Sequence, residues 1–447
     1  MTFEQLVDAV NAVVWSPALI ILLIGAGLYF SIRTRFVQLR KLPLMVRLLF
    51  APKTVEKTDG VSSFQAFCLA LSGRVGTGNI VGVATAIAIG GPGAVFWMWI
   101  IAFIGASTAF MESTLAQMYK FPHAKGWRGG PYSYIEKGLG QRWLAILFAI
   151  LTIIGYGVLL ATVQSNGVAS AFENSFAIPS FWSGAGIVAL LVLVTVGGLR
   201  RIARVASVVT PFMALAYILM ALIVICAHIE NVPGAFGLIF RSAFGSDPVF
   251  GGMVGSAIAM GVKRGLFSNE AGQGGGAIVS ASASVDQSAK QGLVQAFSVY
   301  IDTLLVCTAT ALMILCTGSY CQDLGGNYVA YTQGAIDTVF RGWGSHFVAV
   351  ALAFFAFTTL MAYYFYAESS LSYLFETGGR KHARAERTVL WLYRGLLFAA
   401  VLGGACTQSG TAWTLGDIGV GLTTWINVIA LLILCPKALA ALRELEK

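Results

Sequence analysis

The sequence predicts an all-α polytopic membrane protein of about eleven transmembrane helices. They form an inverted five-plus-five repeat behind one extra N-terminal helix, and two of them are broken. Three observations predict this. Of 447 residues, 57% are hydrophobic and only 11% charged, where soluble domains carry about a quarter charged, and the mean hydropathy is +0.77. Apolar runs of roughly 20 residues recur from end to end, long enough to cross about 30 Å of hydrocarbon as helices and without the alternation of barrel strands. Two of these runs, the second and the seventh, are unusually long and punctured by glycine.

Glu4 and Asp8 stand where a cleaved leader would carry Lys or Arg, so residues 14–32 read as a retained first span, an accessory helix. It is followed by Arg33, Arg35, Arg40, Lys41, Arg47, Lys53 and Lys57. The second span (62–90) and third (94–118) come next, and the third is followed by Lys120, Lys125, Arg128, Lys137 and Arg142. After the fourth (143–163) and fifth (183–199) come Arg200, Arg201 and Arg204. The sixth (206–228) leads to the seventh (250–282), which Lys290 follows. The eighth (290–317) and ninth (345–375) precede Arg380, Lys381, Arg384 and Arg387, and the tenth (388–406) and eleventh (411–433) complete the set. Every odd-numbered exit is basic, whereas the alternate loops hold only Arg241 and Arg341 beside Glu173, Glu230, Asp247, Asp323 and Asp337. That asymmetry puts the N-terminus outside and the C-terminus in the cytoplasm, in the plasma (inner) membrane of a prokaryote.

The net charge of +9 therefore reports topology rather than a nucleic-acid partner. Seven cysteines lie mostly in apolar runs without CxxC spacing and read as packing residues; a Cys316–Cys321 bridge is the one pairing weighed against that. The four histidines are scattered, so no metal centre is expected beyond a transported ion, and no cofactor.

The second span carries Gly73, Gly76, Gly78 and Gly82, the seventh Gly261, Gly265, Gly272, Gly274, Gly275 and Gly276. They lie five spans apart, and because five is odd they run in opposite directions. Spans 2–6 (62–228) and 7–11 (250–433) are then inverted repeats, with residues 1–61 as accessory span and basic loop and 434–447 as a cytoplasmic tail. Paired broken helices in inverted halves point to a transporter site at mid-membrane. Lone glycines in membrane helices also serve close packing. In the second span, however, Ser72, Gly73, Gly76, Thr77, Gly78 and Asn79 cluster within two turns. Unwinding there frees backbone groups that survive only where they line a cavity or bind something.

If the second span opens at Gly73–Gly78, the amides of Thr77, Gly78 and Asn79 face mid-membrane as a carboxylate site. The carbonyls near Ser72 and Val75 offer hard oxygens to a small cation or an ammonium. In the seventh span, Asn269 can donate and accept at once. Lys263, Arg264 and Glu270 are charges at membrane depth, and Arg74 with Glu270 reads equally as an ion pair locking the breaks together. Glu112, Asp302, Glu368 and Asp417 also lie within the membrane or at its edge.

The run GGPGAVFWMWIIAFIG (90–105) resembles the signature of the alanine or glycine:cation symporter family, the sodium:alanine symporters. RVGTGNIVGVATAI (74–87) and GVKRGLFSNEAG (261–272) resemble its two broken-helix motifs, and QGLVQAFSVYIDTLLVCTAT (291–310) continues the match. The resemblance spans about 62–432. It implies the architecture of neurotransmitter:sodium symporters and sodium-coupled import of small neutral amino acids. It implies substrate contacts at Thr77, Gly78, Asn79, Gln164, Asn269, Thr359 and Tyr363. By analogy with the related symporter fold, sodium would sit at Ser72, Val75, Thr358 and Thr359. For the two threonines, back-bonding to the preceding turn is the alternative. This chain departs from the family pattern at Tyr363, where many members carry Trp, and at Gln273, where many carry Met. A smaller ring and an extra amide extend the expected range from alanine and glycine towards serine or glutamine.

The expected mechanism is alternating access, with sodium, a small neutral amino acid and the bilayer as partners and the monomer as working unit. A passive channel would need a lined pore, and an enzyme a nucleophile with its base or paired acids; neither set stands out. Proton coupling through Glu270 or Asp302 stays open beside sodium.

Overall fold

A computed structural model describes residues 2–50, 60–123, 126–247, 249, 251–321, 326–376 and 383–447. Lys53, Lys57, Lys125, Asp323, Arg380 and Lys381 lie outside the described residues. What is described is helical apart from a hairpin of Phe121–His123 with Gly126–Arg128.

Among the described residues, eight helices are long and apolar enough to cross a membrane, nine when Ser63–Arg74 and Gly78–Gly90, bent by 50°, count as one crossing. A shorter apolar helix, Ser180–Thr195, occupies the fifth position. The seventh is a second interrupted element, Val254–Asn269 followed by Gly275–Ala281.

Several boundaries differ from the sequence reading. Helix already runs over Phe3–Val14, closed at its start by a capping box between Thr2 and Gln5, before Pro17 opens Pro17–Arg33. The fourth element extends from Arg142 to Phe176. The fifth ends at Thr195, and the helix Gly198–Ala227 follows at once, because Gly198 takes φ +69 and lets the chain reverse. Arg200, Arg201 and Arg204 thus stand on the first turns of that helix rather than in a loop. The last helix, Ser409–Leu445, continues past Pro436. Cys316 and Cys321 are free thiols.

The basic connections gather at one end of the bundle. Val61 bridges Ala283, Lys120 Nζ donates to Ala283 O at 2.9 Å, His123 lies 3.5 Å from Glu386, and Arg40 pairs with Glu446 at 2.5 Å. Glycine allows the tightest approach between elements. A Cβ on Gly261 would stand 2.5 Å from Ala94 O, and one on Gly265 would stand 2.4 Å from Ile101 Cγ2, so these two serve packing against the helix Gly93–Met118.

Candidate functional site

The second span keeps its helix through Arg74, loses it at Val75 and Gly76, and resumes from Thr77 into a π-turn at Gly78–Gly82 before Val83–Gly90. The opening is narrower than glycine spacing suggests, and Gly73 remains helical. The Thr359 hydroxyl, on Gly344–Glu376, reaches the end of the first half, 2.8 Å from Ser72 O and 3.3 Å from Val75 O. Gly76 lies between that hydroxyl and the Gln164 amide: a Cβ there would meet Thr359 Oγ1 at 2.6 Å and Gln164 Oε1 at 2.8 Å. Gln164 Oε1 accepts from Thr77 N at 3.1 Å, and the Tyr363 hydroxyl lies against the same side chain. Thr77, Gln164, Thr359 and Tyr363 therefore converge on one point, all fully or almost fully buried.

The seventh span breaks at Glu270–Gly274, where Glu270, Gly272 and Gly274 take φ of +54, +94 and +98. Here the glycines serve the break itself. The two openings face one another, since a Cβ on Gly78 would lie 3.2 Å from Phe267 Cδ1 and 3.3 Å from Ser268 Cα. Asn269 Oδ1 accepts from Ala271 N at 3.0 Å, while its Nδ2 is buried without a partner, as is Thr77 Oγ1. Unpartnered polar atoms in a buried site are costly unless a ligand completes them.

Two expected contacts point elsewhere. Asn79 accepts from Gly76 N at 2.9 Å and donates to Asp302 Oδ1 at 2.7 Å, so its side chain ties the break to the eighth span. Thr358 Oγ1 turns back to Phe355 O at 3.0 Å and to Met213 Sδ at 3.5 Å, unlike its neighbour. Gln273 donates to Leu266 O at 2.6 Å, plugging the frayed end of Val254–Asn269, and accepts from the Tyr156 hydroxyl at 3.2 Å. Its amide therefore closes the backbone, and an enlarged pocket does not follow from it. Arg74 and Glu270 do not come within ion-pair distance; Arg74 Nη1 instead donates to Gln295 O at 3.2 Å and to the Ser298 hydroxyl.

Other residues of the site lie outside the two broken-helix motifs. Asp302 accepts from Asn79, Ser268 and Thr303, the last at 2.6 Å. Tyr156 packs edge-on against Tyr363 and Tyr366, with ring centres 5.1 and 4.9 Å away. In the sequence Asp302 is marked by its charge inside an apolar run and by its place in the 291–310 stretch, whereas Tyr156 has neither signal.

A cavity of about 860 Å³ opens at the end of the bundle opposite the basic connections, lined among others by Asn11, Glu173, Lys263, Arg264, Trp413 and Asp417. Its floor is charged: Lys263 Nζ and Arg264 Nη2 lie 2.8 and 2.6 Å from Asp417 Oδ2. Trp413 and Phe267, with ring centres 4.9 Å apart, stand between this cavity and the breaks.

A family model described as the sodium:alanine symporter family matches residues 1–447. The chain is 51% identical over 456 residues to the putative sodium/proton-dependent alanine carrier protein YrbD of Bacillus subtilis, covering 99% of this chain and 92% of that one. It is 47% identical over 416 residues to the sodium/proton-dependent alanine carrier protein of Bacillus sp. strain PS3, covering 90% and 92%. Among solved structures it is similar, with a TM-score of 0.52 and 14% identity, to a Na⁺-coupled sialic acid symporter in a substrate-bound outward-open state, over 94% of this chain and 86% of that one. At that identity the likeness concerns the fold alone.

Proposed function

Since the chain belongs to the sodium:alanine symporter family, we propose that it imports small neutral amino acids, alanine and glycine first, by sodium-coupled alternating access through the paired helix breaks. It is a transporter and not an enzyme. The observation that carries the site assignment is the meeting of two interrupted helices around Thr359, with Thr77 Oγ1 and Asn269 Nδ2 buried and unpartnered beside it. The substrate carboxylate is assigned to the Thr77–Asn79 backbone with the Thr77 hydroxyl, and the rest of the molecule to Asn269, Gln164 and Tyr363. Sodium is assigned to Ser72 O, Val75 O and Thr359 Oγ1, three hard oxygens of the kind such a cation takes; Thr358 adjoins the set.

In this reading eleven elements cross the membrane, spans 2–6 and 7–11 as inverted repeats. The basic end lies in the cytoplasm, and the cavity above Arg264 and Trp413 is the outer antechamber. The protein resides in the inner membrane of a prokaryote and works as a monomer. Substrate and sodium fix the two openings, after which the second, third, seventh and eighth spans rock against the rest. One charge moving down 100 mV supplies about 2.3 kcal/mol, and a tenfold sodium gradient about 1.4. Together they support accumulation of roughly a few hundredfold. Tyr363, smaller than the Trp of many family members, leaves room for serine beside alanine.

Proteoliposomes test the reading: labelled alanine uptake is expected to saturate, to need sodium, and to be competed by glycine and serine. Uptake that ignores sodium and does not saturate would instead indicate a channel.

A further inference from the structure

The floor of the outer antechamber holds more donors than its own residues use. Lys263 Nζ and Arg264 Nη2 both meet a single oxygen, Asp417 Oδ2, at 2.8 and 2.6 Å. Arg264 is 3% exposed, and its Nε and Nη1 have no hydrogen-bond partner among the described residues. Rings face the guanidinium instead, 4.6 Å away at Trp413 and 5.7 Å away at Phe267, while Lys263 Nζ lies 5.2 Å from the Trp15 ring. Two acceptors of residues lining the same cavity are equally idle, Asp417 Oδ1 and Asn11 Oδ1. Asn11 stands one turn before Trp15, whose backbone N–H donates to Asn11 O at 2.8 Å, so it borders the Lys263 side of the floor.

The charges of this floor do not cancel. Among the described residues, the charged side chains lining the cavity are Lys263, Arg264, Asp417 and Glu173. Glu173 is exposed at the rim, where it accepts from the Ser180 hydroxyl at 3.0 Å and where water and salt screen it. Glu4 and Asp8, exposed beside the neighbouring hollow at Gln408 and Thr414, are screened likewise. At the buried floor two cations share one carboxylate. That leaves one positive charge in excess beside idle N–H groups, and a small monovalent anion satisfies both.

We propose that this floor is a waiting site for the entering amino acid, which binds by its carboxylate to Arg264 and Lys263 and by its ammonium to Asp417 Oδ1 and Asn11 Oδ1. The proposal rests on the transport reading above and gives the same substrate class a second seat. That seat lies immediately outside the partition. Trp413 and Phe267 have ring centres 4.9 Å apart, and on the far side Phe267 abuts Gly78, where a Cβ would stand 3.2 Å from its Cδ1. Arg264 precedes Asn269 by five residues of one helix, about 7.5 Å along its axis. A carboxylate that leaves Arg264 when the two rings part therefore has one short step to the Thr77–Asn79 amides. A molecule lacking either charge leaves half of the floor unsatisfied, so the antechamber selects zwitterions before the breaks select by size.

The test is initial-rate alanine uptake by the full-length protein in proteoliposomes at fixed sodium, with KM and kcat read separately. Lys263→Gln keeps the Arg264–Asp417 pair and removes the excess charge. Its KM is expected to rise about tenfold, the loss of one charge-assisted contact, with kcat retained, and Lys263→Arg is expected to restore it. Glu173→Gln is expected to change neither. In the wild type, choline chloride is expected to raise KM several-fold over choline methanesulfonate of equal ionic strength, because chloride competes for the same donors. An unchanged KM in Lys263→Gln, a fall in kcat alone, or an equal KM shift in Glu173→Gln would overturn the waiting site and leave symport standing. Uptake that stops when chloride is withdrawn would make a halide the occupant and overturn the substrate assignment. Wild-type vesicles without sodium-dependent uptake would overturn the transport reading itself. Should Lys263→Gln not fold, the chloride effect on wild-type KM decides, and its absence refutes the site.

Discussion

Replacing Thr359 with valine keeps the shape of the side chain and removes one oxygen. That oxygen is wholly buried and lies 2.8 Å from Ser72 O and 3.3 Å from Val75 O, at the end of the first half of the broken second span. Without an ion, the variant strands two carbonyls in a dry site, each at a cost of about 1–3 kcal/mol when unsatisfied. With sodium bound, it loses one of three oxygens, a charge-assisted contact of about 1.5–3 kcal/mol. At about 1.4 kcal/mol per decade this is roughly a ten- to hundredfold rise in the sodium concentration for half-maximal uptake. The assay is initial-rate alanine uptake as a function of sodium, with Thr358→Val as the internal comparison. The Thr358 hydroxyl is spent on Phe355 O at 3.0 Å, so its loss is worth about 0.5 kcal/mol, or roughly twofold. Equal shifts in the two variants, or an unchanged sodium dependence for Thr359→Val, would refute the placement of the ion.

Three further outcomes follow from the same geometry. Tyr363→Trp enlarges a ring already packed 5.1 Å from Tyr156, and uptake competition is expected to narrow towards glycine; unchanged selectivity would contradict a size filter there. Asn79→Ala leaves Gly76 N without its acceptor and takes one of three donors from Asp302, so alanine binding by calorimetry is expected to disappear, whereas retained affinity would show that the break holds its shape without this tie. Asp417→Asn strips the shared counter-charge from Lys263 and Arg264, at a cost of about 3–5 kcal/mol. The unfolding temperature in detergent should fall, with partial recovery on adding Lys263→Gln, and an unaltered melting curve would mean that the cavity floor does not depend on the pair.

Much of the fold was legible because membrane burial writes itself into local composition. The order of apolar elements, the two interruptions and the clustering of basic connections follow from runs and charges along the chain. Within the site, Thr359 was legible and Thr358 was not separable from it. Both sit on the same helix, and only the direction of each hydroxyl distinguishes a residue that reaches Ser72 from one that turns back on its own helix. Asn79 reads from sequence as a substrate contact and Gln273 as an extra amide for the pocket, yet their partners, Asp302 and Leu266, depend on how the eighth span and the seventh lie against them. Tyr156 carries no local signal at all, being one aromatic in an apolar helix until the ninth span supplies Tyr363 and Tyr366.

The sequence by itself determined that this chain crosses a bilayer many times, that its second and seventh elements must open, and that glycine and small polar residues do the opening. Lipid leaves no other solution for an interrupted helix than one whose freed groups meet partners inside the protein. Only the tertiary structure decided which glycines serve packing and which serve the break. It also decided which hydroxyl reaches the carbonyls and which cations share one aspartate. Those outcomes hang on contacts between residues one to three hundred positions apart, where a rotation of one helix exchanges the side chains that meet, and no local pattern records that rotation.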